Sequence, residues 1–184
     1  MRKILIIFVY FFTLIKCFDS YANNKFSIYL KNTDANVIFL RHTLAPGYGD
    51  PINFNIADCK TQRNLNDLGR KQAKSLGIYF KLNNINFTEI LTSEWCRCVQ
   101  TAENLNIGKW KTFSGLNSFF ESYSDKNKVL KKLRNKLKNT NKKDLILMIT
   151  HQVVISEITG IYTQSGGIVF YNTVTKKSKE MLIN

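Results

Sequence analysis

The chain contains only two histidines, and each stands just beyond an apolar run. His42 follows Val37-Ile38-Phe39-Leu40-Arg41, and His151 follows Leu145-Ile146-Leu147-Met148-Ile149-Thr150. Short apolar runs rich in β-branched residues read as buried strands of an α/β sheet. Such sheets bind ligands in the crevice beyond the carboxyl ends of their strands. Two imidazoles delivered to one sheet edge can face each other across a site. Arg41, beside the first, points to phosphate, because a planar guanidinium pairs with phosphate oxygens through two N–H donors.

The remaining pattern supplies elements to position them. Asn36–Leu40 is the first strand, followed by a long polar loop, residues 44–64, containing Pro46, Gly47, Gly49 and Pro51. A loop of that length in a compact domain is usually functional. Asn66 is a good N-cap for a helix with Leu68, Ala73, Leu76 and Phe80 on its apolar face, ending at Asn83-Asn84. Phe87–Thr92 reads as a second strand. Ser93 then caps a helix to about Asn106, with Trp95, Val99, Ala102 and Leu105 at helical spacing. Lys109–Phe113 is a short third strand, and residues 114–125 are a polar and aromatic loop. Lys126–Lys138 is amphipathic, with Val129, Leu130, Leu133 and Leu137 on one face and solvated lysines on the other. Leu145–Thr150 is the most apolar strand and therefore central. A helix over Val153–Thr159 stops at Gly160, and Gly166-Gly167 introduces a last strand, Ile168–Tyr171. Strands alternating with helices predict a three-layer α/β/α sandwich with a mostly parallel central sheet. No repeat or interdomain linker is visible.

Four segments, in order, carry the chemistry: Leu40-Arg41-His42-Thr43, Asn64-Leu65-Asn66-Asp67-Leu68-Gly69-Arg70-Lys71-Gln72-Ala73, Ser93-Glu94-Trp95-Cys96-Arg97-Cys98-Val99-Gln100-Thr101-Ala102, and Ile149-Thr150-His151-Gln152. Together they resemble the histidine phosphatase superfamily, also called phosphoglycerate-mutase-like, from about Val37 to Tyr171. The resemblance implies that His42 attacks phosphorus and becomes a phosphohistidine that water hydrolyses. Arg41, Arg97 and His151 would hold the phosphoryl oxygens and stabilise the charge that spreads over them. Arg63 and Thr43 are further candidates to touch substrate, with Arg63 evenly balanced against a solvated side chain. Arginines supply the positive charge, so neither metal nor cofactor is expected.

The acid is where the chain departs from the family. Many members carry a glutamate after the third strand that protonates the leaving group. Here that stretch reads Gly115-Leu116-Asn117-Ser118-Phe119-Phe120-Glu121, with Asn117 or Ser118 in its place, and Gln152 follows the second histidine where another subgroup keeps its acid. Glu121 is the first choice for the role, with Asp125 and Asp50 behind it.

Bulk properties set the context. Arg2 and Lys3, the apolar run Ile4–Ile15 and Ser20-Tyr21-Ala22 have the order of a secretory signal over residues 1–22. That run is short against the roughly 20 residues a spanning helix needs. An uncleaved anchor and a lipoprotein at Cys17 are the alternatives. Residues 23–184 then form one exported domain, expected in the periplasm and without membrane insertion once the signal is cleaved. The formal charge is +14; Arg2, Lys3 and Lys16 against Asp19 account for two of these, leaving +12. The charges are spread through the chain without an arginine cluster, which argues against nucleic acid; the resemblance implies a small phosphorylated substrate as the partner. Past the signal stand Cys59, Cys96 and Cys98; Cys59 can bridge to either of the others, or all can be reduced. The activity expected is hydrolysis of a phosphomonoester of modest size, such as an envelope phospho-sugar. A phosphohistidine-protein phosphatase is the main rival. A mutase is disfavoured by the short chain. A non-catalytic anion-binding module is the rival from another class.

Overall fold

The strand-forming runs assemble into one six-stranded sheet of order β3-β2-β4-β1-β5-β6 in a computed structural model that describes residues 25–183. The signal over residues 1–22, its cleavage site and Cys17 lie outside the described residues. Residues 25–33 form helix α1, which the sequence pattern did not announce. The strands are β1 (Val37–Arg41), β2 (Glu89–Thr92), β3 (Lys111–Thr112), β4 (Ile146–Thr150), β5 (Ile168–Tyr171) and β6 (Ser178–Met181). The helices that follow α1 are α2 (Asp67–Leu82), α3 (Cys96–Leu105), α4 (Lys126–Lys138) and α5 (Gln152–Thr159). From β3 to β1 neighbouring strands are parallel; β5 and β6 join antiparallel. The α/β sandwich with a mostly parallel sheet is thus as expected.

Each central strand is apolar on both faces because helices cover both. Ile38, Leu40, Leu147 and Ile149 pack with Leu76 and Phe80 of α2, Ala102 and Leu105 of α3 and Phe26 of α1. Val37, Phe39, Ile146 and Met148 point the other way, onto Leu133 and Leu137 of α4 and Val154 and Ile155 of α5. Burying each such side chain contributes roughly 1.5–3 kcal/mol. This two-sided burial explains why β1 and β4 read as unbroken apolar runs.

Four local expectations are corrected. Leu68, assigned to the buried face of α2, is 62% exposed: it stands in the first turn of the helix and lines a groove open to solvent beside Arg41. Ser93 does not cap α3: Trp95 holds that position without a side-chain bond, and the Ser93 hydroxyl turns to His151. Ile168–Tyr171 is not the last strand, since Ser178–Met181 pairs with it along the edge. The third strand shrinks to two exposed residues.

The sheet register places the histidines. In the parallel pair β1–β4, Arg41 lies opposite Thr150, so His42 and His151 leave the sheet side by side. The ladder extends one step further, with His42 N–H donating to Thr150 O at 2.9 Å. Helix α2 is pressed against the turn after His42. A Cβ on Gly69 would lie 2.0 Å from Leu44 O, so only glycine permits that approach. One turn on, Gln72 accepts from Leu44 N–H at 3.0 Å and donates to Ser165 O at 2.9 Å. Asn66 caps α2 as expected, accepting from Gly69 N–H at 2.8 Å.

Candidate active site

His42 is buried, and its Nδ1 lies 2.8 Å from Thr43 O. A carbonyl can only accept, so Nδ1 carries the proton and Nε2 keeps its lone pair. Burial first, then the charge of Arg97, holds the imidazole well below its ordinary value of 6.5, against a raising contribution from the Thr43 bond. His42 is therefore neutral, with one nitrogen ready to act as a nucleophile.

The His151 ring stands 5.5 Å from that of His42, centroid to centroid. Its Nε2 lies 2.9 Å from Ser93 Oγ, and Ser93 Oγ donates to Asn117 Oδ1 at 3.2 Å. Asn117 is fixed in turn by Glu94 N–H at 2.9 Å and by donating to Glu94 Oε2. Since the Ser93 hydrogen goes to Asn117, His151 Nε2–H donates to Ser93. His151 Nδ1, buried with no partner among the described residues, holds a lone pair and must take up a proton before it can donate to a ligand oxygen. Burial, then Arg97, His42 and the other arginines depress this ring too, so it is neutral without bound anion. Cys98 Sγ lies 3.5 Å from the same Nε2, but burial pushes its thiol up to about 12, and it takes no part as a thiolate.

Three guanidiniums surround the pair. Arg41 donates through Nη1 to Thr163 O at 2.8 Å, and its Nε is buried without a partner. Arg63 is held by Gly49 O at 2.8 Å and by Ala45 O. Arg97, from the first turn of α3, donates through Nη1 to Asp50 Oδ1 at 2.8 Å and Oδ2 at 3.1 Å; its Nε also lacks a partner. Burial, then the charge of Arg97, lowers both Arg41 and Arg63, a sign of how tightly the three are gathered. All three remain cations. With His42, His151, Tyr48, Ser118, Phe120 and Gln152 they line a cleft of about 320 Å³. An adjoining groove of about 550 Å³ runs past Arg41, Leu44, Leu68 and Gln72.

Arg41, His42, Arg63, Arg97 and His151 thus meet, and four other candidates, Thr43, Glu121, Asp125 and Asp50, do not line the cleft. Thr43 is fully buried and bonds Thr101: its N–H donates to Thr101 Oγ1 at 3.1 Å, so it braces the turn after His42 and does not reach the cleft. Glu121, the first choice for the acid, is exposed and outside the cleft lining. Its carboxylate lies beside Gly49, a residue of the cleft lining: a Cβ on Gly49 would fall 2.6 Å from Glu121 Oε2. Asp125 caps α4 through Lys128 N–H at 3.0 Å. Asp50 is spent on Arg97. Burial pushes its carboxyl up, but Arg97 and the bonds from Arg63 N–H, Arg97 and Trp95 together hold it below its ordinary value, so it has no proton to give. Among the described residues, no carboxylate lines the cleft.

The bridge left open between Cys96 and Cys98 forms at Cys96: Cys59–Cys96 ties the 44–64 loop to α3, and Cys98 is free. Sequence reasoning passed over the Ser93–Asn117 support of His151 and the Asp50–Arg97 pair. Neither has a local signature, since each joins residues more than 20 positions apart.

The geometry agrees with what similarity finds. The model of the histidine phosphatase superfamily (branch 1) matches residues 37–117. That stretch includes Arg41, His42, Arg63 and Arg97. No curated protein matches the chain. Among solved structures, the protein histidine phosphatase SixA complexed with tungstate is 16% identical at a TM-score of 0.54, over 79% of this chain and 94% of that one. A phosphoserine phosphatase from Entamoeba histolytica, in complex with 3-phosphoglyceric acid, is 15% identical at a TM-score of 0.55, over 80% and 95%. At such identities the likeness establishes the fold.

Proposed function

We propose that this chain, whose family match and fold support membership of the histidine phosphatase superfamily, is a phosphatase that works through a phosphohistidine on His42. The observation that carries this is the Nδ1 bond to Thr43 O, which leaves Nε2 free beside three guanidiniums. Nε2 attacks phosphorus, and the bond to the leaving group breaks with its electron pair going to that group. Arg41, Arg63 and Arg97 hold the phosphoryl oxygens as charge moves onto them, joined by His151 Nδ1 once the ring has taken up a proton with the anion. Water then attacks the phosphohistidine, the P–N bond breaks, and inorganic phosphate leaves with His42 restored. The positive charge comes from arginine, so turnover is expected to survive EDTA; loss on chelation with recovery on added zinc or magnesium contradicts this.

The substrate follows from the leaving group. A cleft without a carboxylate gives an alkoxide no proton, so substrates with undemanding leaving groups are favoured. That supports a phosphoramidate such as phosphohistidine in a protein over an alkyl phosphate such as an envelope phospho-sugar, which remains the reading suggested by the exported domain. The groove beside Arg41 has room for the body of either. Turnover of an aryl phosphate, a phosphoramidate and a sugar phosphate by the purified protein separates them. The first two should exceed the third by roughly 10²-fold or more, the least that a general acid contributes. Equal rates overturn the preference, and no turnover of any of the three supports a binding module. Export of the domain is part of the proposal: fractionation should recover an N-terminus near Asn23 outside the cytoplasm.

A further inference from the structure

The 44–64 loop contributes a carboxylate that the reaction does not use. Asp50 is 3% exposed at its side chain and saturated with donors. Arg97 Nη1 reaches both of its oxygens, Trp95 Nε1 donates to Oδ2 at 3.1 Å, and Arg63 N–H donates to Oδ1 at 3.0 Å. Tyr123 Oη donates to the Asp50 carbonyl at 2.8 Å, so the backbone is fixed as well. Phe54, from the same loop, stacks on Trp95 at 5.0 Å. The Cys59–Cys96 bridge anchors the loop one residue before Arg97.

Two facts give the direction of this contact. Arg97 lines the cleft and Asp50 does not, so Asp50 stands behind the guanidinium. Arg97 also commits only Nη1 to Asp50, leaving the rest of its fork to a ligand. We infer that Asp50 is a positioning residue for phosphate recognition: it holds Arg97 from behind so that the guanidinium presents its remaining donors to the phosphoryl group. It also trims the charge of the site. Arg41, Arg63 and Arg97 less Asp50 leave a surplus of two positive charges, the complement of a phosphoryl dianion.

The inference rests on the reading that Arg97 binds phosphate, and one set of titrations separates the two. Inorganic phosphate binding is measured by calorimetry on the purified protein and on Asp50→Asn, Arg97→Met and the double variant. Charge alone predicts that Asp50→Asn, which adds net positive charge, tightens phosphate. Positioning predicts the reverse, a weakening of about ten- to hundredfold, the size of effect seen when a group that orients a metal-binding side chain is removed. On the Arg97→Met background the same change should alter affinity less than about twofold, because the two residues act as one unit. Tighter or unchanged binding by Asp50→Asn overturns the inference, as does an equal loss on both backgrounds, which marks a merely structural role. Unchanged binding by Arg97→Met overturns the parent reading instead. Should Asp50→Asn fail to fold, Trp95→Phe deletes one donor that fixes the carboxylate. It should weaken phosphate about two- to tenfold, the range of one hydrogen bond, on the wild-type background only; no change there is equally fatal.

Discussion

At the scale of single residues, the site divides groups that face the cleft from groups that hold them. His42 is oriented by a backbone carbonyl, His151 by Ser93 and Asn117, and Arg97 by Asp50. The residue types that face substrate were legible in the sequence, because two histidines and an Arg-His pair at strand ends leave few alternatives. Their supports were not, since Asn117 and Asp50 reach the site from distant loops. Asn117, one of two residues, with Ser118, at the position where the resemblance implies a glutamate, serves the Ser93–His151 link. This changes what is expected of Glu121. A group outside the cleft donates no proton, so Glu121→Gln should slow alkyl and aryl phosphates alike and by less than about tenfold. A selective loss on alkyl phosphates of roughly 10²–10⁴-fold, the signature of general acid catalysis, would show that the loop moves Glu121 into the cleft.

At the scale of elements, register and close packing set the site. β1 and β4 were readable because strands covered on both faces are apolar throughout. β6 was not: Ser178-Lys179-Glu180-Met181 is a half-covered edge strand whose polar residues resemble a loop. The glycine in Gly69-Arg70-Lys71-Gln72-Ala73 now has a mechanical reason, since α2 touches backbone at Leu44. Alanine normally favours a helix over glycine by about 0.5–1 kcal/mol. Gly69→Ala should instead destabilise by about 1–3 kcal/mol, as overpacking does, and should lower kcat/KM by shifting the turn after His42. A thermal melt at or above the wild-type midpoint contradicts that packing. The Cys59–Cys96 bridge spans 37 residues and contributes about 4 kcal/mol in the chain-entropy estimate.

For the whole molecule, burying two neutral histidines makes stability depend on pH. His42 and His151 lie well below 6.5 when folded, so the unfolded chain binds more protons as pH falls through that value. Their stabilising contribution is complete above about pH 6.5 and is lost on acidification, at up to about 1.4 kcal/mol per pH unit for each ring. Asp50 behaves as the usual depressed carboxylate: its contribution is present above its ordinary 3.8 and is lost only as pH falls through its lower folded value. Denaturant midpoints should therefore fall between pH 6.5 and 4, and His42→Ala should flatten that slope. A pH-independent midpoint over this window contradicts neutral burial. Added phosphate should raise stability, because it binds only the folded state.

The sheet, the arginines and the supporting loops all converge on one nitrogen, His42 Nε2. Rapid-quench trapping during turnover of an aryl phosphate tests it directly. The expected result is a covalent, acid-labile phosphoryl adduct that maps to His42, forms at least as fast as turnover, and disappears with activity in His42→Ala. Turnover without any adduct, or a His42→Ala protein retaining more than about a tenth of wild-type kcat, a barrier change under about 1.4 kcal/mol, would show that the phosphoryl group never passes through this histidine.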